Sequence, residues 1–190
     1  MHASLPLRDN INFREEKGAA MTGFTYRLVD SREEARAMLQ LCRGSFRAYY
    51  PKFDSWYLSK VVPGIGLTRE ILIASTEECR LAGICILKSD GRESKICSLR
   101  VDARHRGQGV ASSLIRRSMD LLEDDKPLIT VPAEIVPELS PLLARANFEL
   151  SCVYRSIYRA GIEEYSYNGL IVPSGVVEAR SEQSLALSMR

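Results

Sequence analysis

The sequence contains little that would support metal chemistry, membrane insertion or general binding to nucleic acids. His2 and His105 are the only histidines, and the five cysteines form no Cys-x-x-Cys pair. No apolar run is long enough to span a bilayer, and the N-terminus carries charges where a signal peptide would have an apolar core. A net charge of +2 at pH 7 gives no basic footprint. These absences argue against a metal site, a membrane partner and a nucleic-acid partner.

The cysteines favour a reducing compartment. They are odd in number and several lie in apolar runs, which indicates buried thiols and no disulfide framework. They are Cys42, Cys79, Cys85, Cys97 and Cys152. A chain of 190 residues suits one domain with a substantial core, and no internal repeat is present. We therefore expect a cytoplasmic protein of one domain, whose oligomeric state the sequence leaves open.

The most informative stretch is a polar turn that joins an apolar strand to a helix. The strand ends at Val101, Gly107 and Gly109 follow, and apolar residues then recur at helical spacing. The first N–H groups of a helix are unpaired and favour an anion. Glycine lets a phosphate approach the backbone because it lacks Cβ, and Arg104 and Arg106 add positive charge. The turn therefore predicts a phosphate or pyrophosphate site.

Two common phosphate-binding patterns do not fit this turn. The Walker A pattern needs Lys and then Ser or Thr after its last glycine, where this chain has Val110 and Ala111. The dinucleotide fingerprint needs Gly or Ala where Ser112 stands. The pattern Arg-x-x-Gly-x-Gly-x-Ala, which begins at Arg104, instead resembles the acetyl-CoA signature of the GNAT N-acetyltransferase superfamily. An ordinary glycine-containing turn between a strand and a helix is the alternative.

The resemblance implies acetyl-CoA as the cosubstrate. It implies that the turn amides hold the CoA pyrophosphate and that the backbone of the preceding strand pairs with the pantetheine amides. The expected cofactor-binding residues are Leu99, Val101, Arg104, Arg106, Gly107, Gln108, Gly109, Val110, Ala111 and Ser112. A backbone N–H near Leu99 or Arg100 is expected to stabilise negative charge on the acetyl oxygen.

The remaining patterns follow the order of elements in that family. Ser31 and Glu34 form a capping box before the first helix, and Gly44 is the expected stop. Strands are expected at residues 24–29, 70–75, 80–88, 94–101, 127–131 and 148–158, with a further segment at 163–169. Helices are expected after Ser31, at 54–62, after Gly109 and at 134–146, where Asn147 closes the last one in a left-handed conformation.

The resemblance implies an α/β fold with a GNAT-like mixed, strongly twisted central sheet flanked by helices. Acetyl-CoA is expected in a cleft where the fourth and fifth strands splay apart. We expect one acetyltransferase domain at residues 24–168, a flexible leader at 1–23 and a flexible tail at 169–190. Met1 and Met21 are both candidate starts.

The sequence leaves the catalytic residues open. Many GNAT enzymes carry a tyrosine four residues before a glycine that closes this last helix, but Asn147 replaces the glycine and Leu143 the tyrosine. Four tyrosines nearby in sequence are substitutes among which no spacing selects: Tyr154, Tyr158, Tyr165 and Tyr167. Glu134 is a candidate base, although a carboxylate at a helix N-terminus has a simpler structural role. We expect a buried strand thiol at Cys97 and an exposed ring at His105.

Six of the fourteen aromatic residues lie within residues 46–57. Rings at helical spacing favour core packing, whereas the polar tips of tyrosines and the resemblance favour the wall of an acceptor pocket. The resemblance implies an N-acetyltransferase that transfers an acetyl group directly to a primary amine of a small molecule or protein. A noncatalytic acyl-CoA-binding or sensor module on the same fold is the alternative, and the missing tyrosine favours it. The modest net charge argues against a third class, GNAT proteins acting on RNA-linked amines.

Overall fold

The computed structural model describes residues 23–171 and 179–181. Its strands are β1 (Phe24–Leu28), β2 (Arg69–Thr76), β3 (Leu81–Ser89), β4 (Ser94–Val101), β5 (Leu128–Pro132), β6 (Leu150–Arg155), β7 (Glu163–Tyr167) and β8 (Ala179–Ser181). Its helices are α1 (Arg32–Arg47), α2 (Phe53–Trp56), α3 (Val62–Gly64), α4 (Val110–Leu122) and α5 (Val136–Arg145). A π-helical turn at Tyr57–Val61 joins α2 to α3, and a 3₁₀ turn at Ala103–His105 precedes α4.

The strands form one mixed sheet in the order β1-β2-β3-β4-β5-β7-β6-β8. β1 to β4 pair antiparallel, as their short connections predict. β4 and β5 are parallel, but only Lys95 with Leu128 and Ile96 with Ile129 pair in register. The expected mixed sheet is confirmed, and its fourth and fifth strands separate beyond Ile96.

A bulge in β4 changes the alternation of its side chains. Ser98 pairs with Ile86 of β3 and Ile96 pairs with Leu87, so Cys97 has no partner in register. Because of the extra residue, Cys97 and Ser98 both line the space beside α2, where strict alternation would turn one of them away.

Two apolar clusters cover the faces of the sheet. Leu114 and Leu143 belong to the cluster under α4 and α5, and both are fully buried. The cluster under α1, α2 and α3 includes three of the six concentrated aromatic residues, Phe46, Phe53 and Tyr57. The core interpretation of the aromatic segment is therefore correct for these three rings. Burial of the apolar face of each helix fixes its position against the sheet.

The ends of several elements differ from the prediction. α1 is capped by Ser31, whose side chain accepts from the N–H of Glu34, but it continues through Gly44 to Arg47. A glycine costs a helix only about 1 kcal/mol, and Phe46 in the last turn is buried. Asn147 has the expected left-handed conformation, with φ of 60°.

The predicted domain boundaries fall partly outside the described residues. Residues 1–22 of the expected leader and residues 172–178 and 182–190 of the expected tail lie there. Within the segment expected to be a tail, β8 pairs antiparallel with β6. The division into leader, domain and tail stays a prediction.

Candidate active site

The glycine turn leaves the N-terminus of α4 accessible to an anion. Gly107 and Gly109 have φ of 73° and 81°, in the left-handed region that favours glycine. Within the part of the chain that the structure describes, no atom outside the glycine and its two chain neighbours lies within 4 Å of the position that a Cβ would take at either residue. The first N–H groups of α4, at Val110 to Ser112, have no helical partner because they lie in the first turn of the helix. The cap residue, Gly109, has no side chain that could accept a hydrogen bond from them. This open cradle of amides fits a pyrophosphate.

Both arginines of the turn have partners within the protein. The guanidinium of Arg104 donates from Nε to Asp102 Oδ1 at 2.9 Å and from Nη2 to Asp102 Oδ2 at 3.0 Å. These bonds hold the pKa of Asp102 well below its usual range. Arg106 forms an ion pair with Glu138 of α5, with Nη1 and Oε2 separated by 3.1 Å. A bound phosphate would compete with Asp102 and Glu138 for these cations.

The other residues near the turn have distinct positions. Gln108 donates from Nε2 to the carbonyl of Arg104 at 3.0 Å and so closes the turn. The side chains of Leu99 and Val101 pack against the cluster under α4, which leaves the backbone of β4 as the group available to a cofactor. His105 is half-buried and packs edge-on against Phe24, so the expectation of an exposed ring is wrong.

The diverging edges of β4 and β5 form a cleft next to the glycine turn. Residues 96–100 and 129–132 line it, and Tyr49 and Tyr50 close it from the end of α1. The guanidinium of Arg100 lies over the ring of Tyr49, 5.2 Å from its centroid. Among the described residues, the edge of β4 that faces β5 has no strand partner beyond Ile96, so its backbone groups are available to a ligand.

A cavity of about 580 Å³ lies on the α2 side of the sheet and is here called the side cavity. Its walls include Tyr50, Trp56, Arg69, Lys95, Thr130 and Tyr158. Four residues line both this cavity and the cleft: Tyr50, Cys97, Ser98 and Thr130. The cleft and the side cavity therefore meet at the bulge of β4, and two members of the aromatic segment, Tyr50 and Trp56, form walls there.

A buried carboxyl lies behind this junction. Glu164 of β7 is 3% exposed and accepts a hydrogen bond from Tyr50 Oη at 3.0 Å. Burial raises the pKa of Glu164 to about 7, while hydrogen bonds from Tyr50 and Thr130 and the charges of Lys95 and Arg159 act in the opposite direction. Burial also raises the pKa of Tyr50 well above its ordinary value, so its phenol keeps its proton.

Glu164 was not among the candidates from the sequence. Its strand, β7, lies between β5 and β6 in the sheet, and this order brings Glu164 to a tyrosine 114 residues away. The sequence feature that marks Glu164 is an acidic residue inside a strand. Its neighbours at alternate positions, Tyr165 and Tyr167, pack against the cluster under α4 and α5, so Glu164 faces the other side of the sheet. Because a buried carboxyl needs partners, an acidic residue at an inward-facing strand position is a candidate for a functional site.

Glu134, the candidate base from the sequence, lies in an exposed ion pair. Its carboxylate binds Arg159 Nη2 at 2.8 Å, and its side chain is 43% exposed. A backbone hydrogen bond and Arg159 lower its pKa. A base with a lowered pKa holds a proton weakly, so Glu164 is the better acceptor of an amine proton.

Of the four substitute tyrosines, only Tyr158 is among the residues that line the side cavity. Its ring packs edge-on against that of Tyr50, with 5.5 Å between the ring centroids. Tyr154 Oη bonds the backbone of Ile171, accepting from its N–H at 2.9 Å. Tyr165 and Tyr167 belong to the cluster under α4 and α5. Leu143 is fully buried in that same cluster, so the place of the usual tyrosine holds an apolar side chain.

The five cysteines are free thiols, but Cys79 is exposed and does not fit the expectation of buried thiols. Cys97 is half-buried at the junction, and burial raises the pKa of its thiol. The neutral thiol is a weak nucleophile.

None of the described helices is long and apolar enough to cross a bilayer. Within residues 23–171 and 179–181, no group of three or more His, Cys, Asp or Glu side chains is placed to hold a metal ion.

A family model, described as the acetyltransferase (GNAT) family, matches residues 35–131. Among curated proteins, none matches the sequence significantly. A putative acetyltransferase of the GNAT family from Desulfovibrio desulfuricans is similar in structure, with a TM-score of 0.60 and 13% identity over 76% of this chain and 96% of that one. Spermidine N-acetyltransferase from Vibrio cholerae, solved with CoA and spermine, has a TM-score of 0.56 and 17% identity over 77% of this chain and 95% of that one.

Nourseothricin acetyltransferase has a TM-score of 0.48 and 17% identity over 53% of this chain. This chain covers 64% of that protein, which is less than two thirds of its length. Identities this low relate the proteins by fold alone.

Proposed function

The chain belongs to the GNAT acetyltransferase family, and from that premise we propose that it transfers an acetyl group from acetyl-CoA directly to a primary amine of a small molecule or protein. The observation that carries the proposal is the junction at the bulge of β4. There the cleft beside the glycine turn meets the side cavity, and the buried Tyr50–Glu164 pair lies behind both.

The donor end of the site fits acetyl-CoA, which supplies the acetyl group as an activated thioester. The amides at the start of α4 would hold the pyrophosphate, with Gly107 and Gly109 allowing its close approach. The unpaired edge of β4 would bind the extended pantetheine by backbone hydrogen bonds, as a further strand would. A backbone N–H at the bulge, near Cys97 or Ser98, would stabilise negative charge on the acetyl oxygen.

The acceptor end supplies a path for the proton that the amine must lose. We assign the Tyr50 hydroxyl to contact the amine, because Tyr50 lines both the cleft and the side cavity. As the amine attacks the thioester carbonyl, its proton passes to Tyr50 Oη while the Tyr50 proton passes to the Glu164 carboxylate. The C–S bond of the thioester breaks as the amide forms, and CoA leaves as the thiolate. A pKa near 7 suits this acceptor, since the carboxylate is available at neutral pH and still binds a proton appreciably.

The test is turnover with product identification. The protein would be incubated with acetyl-CoA and a panel of amines and peptides, with release of free CoA followed and the acetylated product identified by mass. Acetyl-CoA binding with amine-dependent CoA release supports the proposal. Binding without turnover of any amine would contradict it and favour the noncatalytic acyl-CoA-binding module, which the buried Leu143 at the place of the usual tyrosine supports.

A further inference from the structure

Three cations lie side by side across neighbouring strands at one wall of the side cavity. Arg69 of β2 pairs in register with Lys88 of β3, and Lys88 pairs with Lys95 of β4. All three line the side cavity. Like charges directly opposite one another destabilise a sheet. Because neutral residues would make a more stable sheet here, the row indicates a binding role.

Among the described residues, only the middle cation of the row forms ion pairs with carboxylates. Lys88 Nζ lies 2.9 Å from Asp90 Oδ2 and 2.7 Å from Glu93 Oε2. Lys95 is 9% exposed, and within the described residues its side chain forms no hydrogen bond or ion pair. Glu164 interacts electrostatically with Lys95, but with a pKa of about 7 its carboxyl is ionised only in part at neutral pH. A buried, uncompensated ammonium is costly unless a ligand pairs with it.

Arg69 is the second cation of the row that forms no ion pair with a carboxylate of the described residues. Its Nη1 donates to the carbonyl of Thr68 at 2.8 Å, whereas its buried Nε has no hydrogen-bond partner among the described residues. A Cβ at Gly64 would lie 2.7 Å from Arg69 Cγ, so the glycine makes room for the stem of this side chain. A free edge of a guanidinium matches the two oxygens of a carboxylate.

We propose that the acceptor is an amine that also carries a carboxylate, and that Lys95 and Arg69 bind this carboxylate in the side cavity. The inference rests on the proposed function, because it assigns the amine of the same molecule to the Tyr50–Glu164 end of the cavity. The same two cations repel a polycation, so we expect amines such as spermidine to be poorer acceptors, even though Glu93 also lines the cavity.

The kinetic test compares amines that differ only in the carboxylate. β-Alanine and 4-aminobutyrate would be compared with their carboxamides and with spermidine, each at equal concentration of neutral amine. We expect kcat/KM to be about tenfold or more higher for the carboxylates, since hydrogen bonds to charged groups are the stronger ones. Equal use of carboxylates and carboxamides, or a preference for spermidine, would overturn the inference and leave the proposed function standing.

Lys95→Met tests the residue itself, with Lys60→Met as the matched control. Lys60 is exposed in the π-helical turn and does not line the side cavity. Measured at about pH 9, where Glu164 is ionised with or without the charge of Lys95, Lys95→Met should raise KM for the carboxylates about tenfold and change kcat little. Lys60→Met should behave as wild type. The melting temperature should stay or rise in Lys95→Met, because the repulsion within the row is relieved. A fall in melting temperature with an unchanged KM would indicate a structural role and refute the assignment.

Direct binding separates failure of this inference from failure of the proposed function. Trp56, the single tryptophan, lines the side cavity, so its fluorescence should report 4-aminobutyrate binding to the CoA-saturated protein. If no amine is turned over, the proposed function fails. A titration seen in wild type and weakened in Lys95→Met would still support the carboxylate site, and no titration in wild type would overturn it.

Discussion

At the residue scale, the ionisation of Glu164 links the geometry of the junction to a pH dependence. Burial raises the pKa of this carboxyl to about 7, and only its ionised form can accept a proton through Tyr50. We therefore expect kcat/KM to rise with pH through about 7. Glu164→Gln should lower kcat by about 10² to 10⁴ and remove this inflection, because the amide accepts no proton.

Glu149→Gln is the control for that measurement. It makes the same chemical change at a carboxylate that lies in an exposed ion pair with Lys126. Its pH profile should match that of wild type. A Glu164→Gln enzyme that kept the wild-type profile and rate would exclude the proton path through Tyr50.

Cys97 tests whether the acetyl group moves directly to the amine. The residue lines the junction, but burial raises the pKa of its thiol and disfavours the thiolate that an acyl-enzyme route requires. We expect Cys97→Ala to retain most of the activity. Complete loss of turnover in this variant, together with an acetylated Cys97 trapped on the wild-type protein, would refute direct transfer.

At the scale of the element, the N-terminus of α4 is built around a backbone conformation that glycine provides. An alanine at Gly109 would cost about 1–2 kcal/mol in the left-handed region and would place a methyl group in the anion cradle. Gly109→Ala should therefore lower both stability and affinity for CoA, as denaturant unfolding and calorimetry would measure.

Gly91→Ala is the matched control for backbone strain. Gly91 has φ of 77° and equally open space around its Cβ position, but it lies in the turn between β3 and β4. This variant should lose comparable stability and bind CoA as wild type does. Equal loss of CoA affinity in both variants would show that strain, and not the cradle, explains the effect at Gly109.

The close packing of α4 against the sheet depends on another glycine. A Cβ at Gly83 of β3 would lie 2.9 Å from Leu114 Cδ1 and 3.0 Å from Val110 Cγ1. Gly83→Ala should push the start of α4 away from β3, cost about 1–3 kcal/mol of stability and weaken CoA binding. Gly44→Ala, in the open interior of α1, should keep CoA binding and raise stability by about 0.5–1 kcal/mol. Unchanged CoA affinity in a folded Gly83→Ala protein would show that CoA binding does not depend on how α4 packs against β3.

Local patterns predicted the elements whose cause is local. The Ser31 cap, the left-handed Asn147 and the glycine turn before α4 each depend on neighbours in sequence, and the structure contains all three. The prediction that α1 ends at Gly44 was wrong, because burial of Phe46, a tertiary contact, outweighs the weak helix propensity of glycine. The half-buried ring of His105 also depends on a distant residue, Phe24.

At the scale of the whole molecule, the candidate site depends on the order of strands, which no local pattern specifies. The cationic row requires the registers of β2, β3 and β4, and the Tyr50–Glu164 pair requires β7 to lie next to β5. From the sequence, Lys88 ended one expected strand, Lys95 lay near the start of the next, and Glu164 lay in the further segment at 163–169. The family resemblance implied the cleft, whereas the cationic row and the Tyr50–Glu164 pair depend on strand registers and contacts between residues distant in sequence.

The raised pKa of Glu164 also predicts how the stability of the whole fold depends on pH. Between its ordinary pKa of 4.5 and about 7, the folded protein retains a proton on Glu164 that the unfolded chain has released. Because the unfolded state then binds fewer protons, the free energy of unfolding falls as pH rises through this window, by up to about 3 kcal/mol from this group. Glu164→Gln removes that contribution, while the other ionisable groups remain common to both proteins. Denaturant unfolding at pH 5 and pH 8 should therefore show wild type losing stability relative to Glu164→Gln, whereas parallel pH curves would mean that the carboxyl titrates normally in the fold.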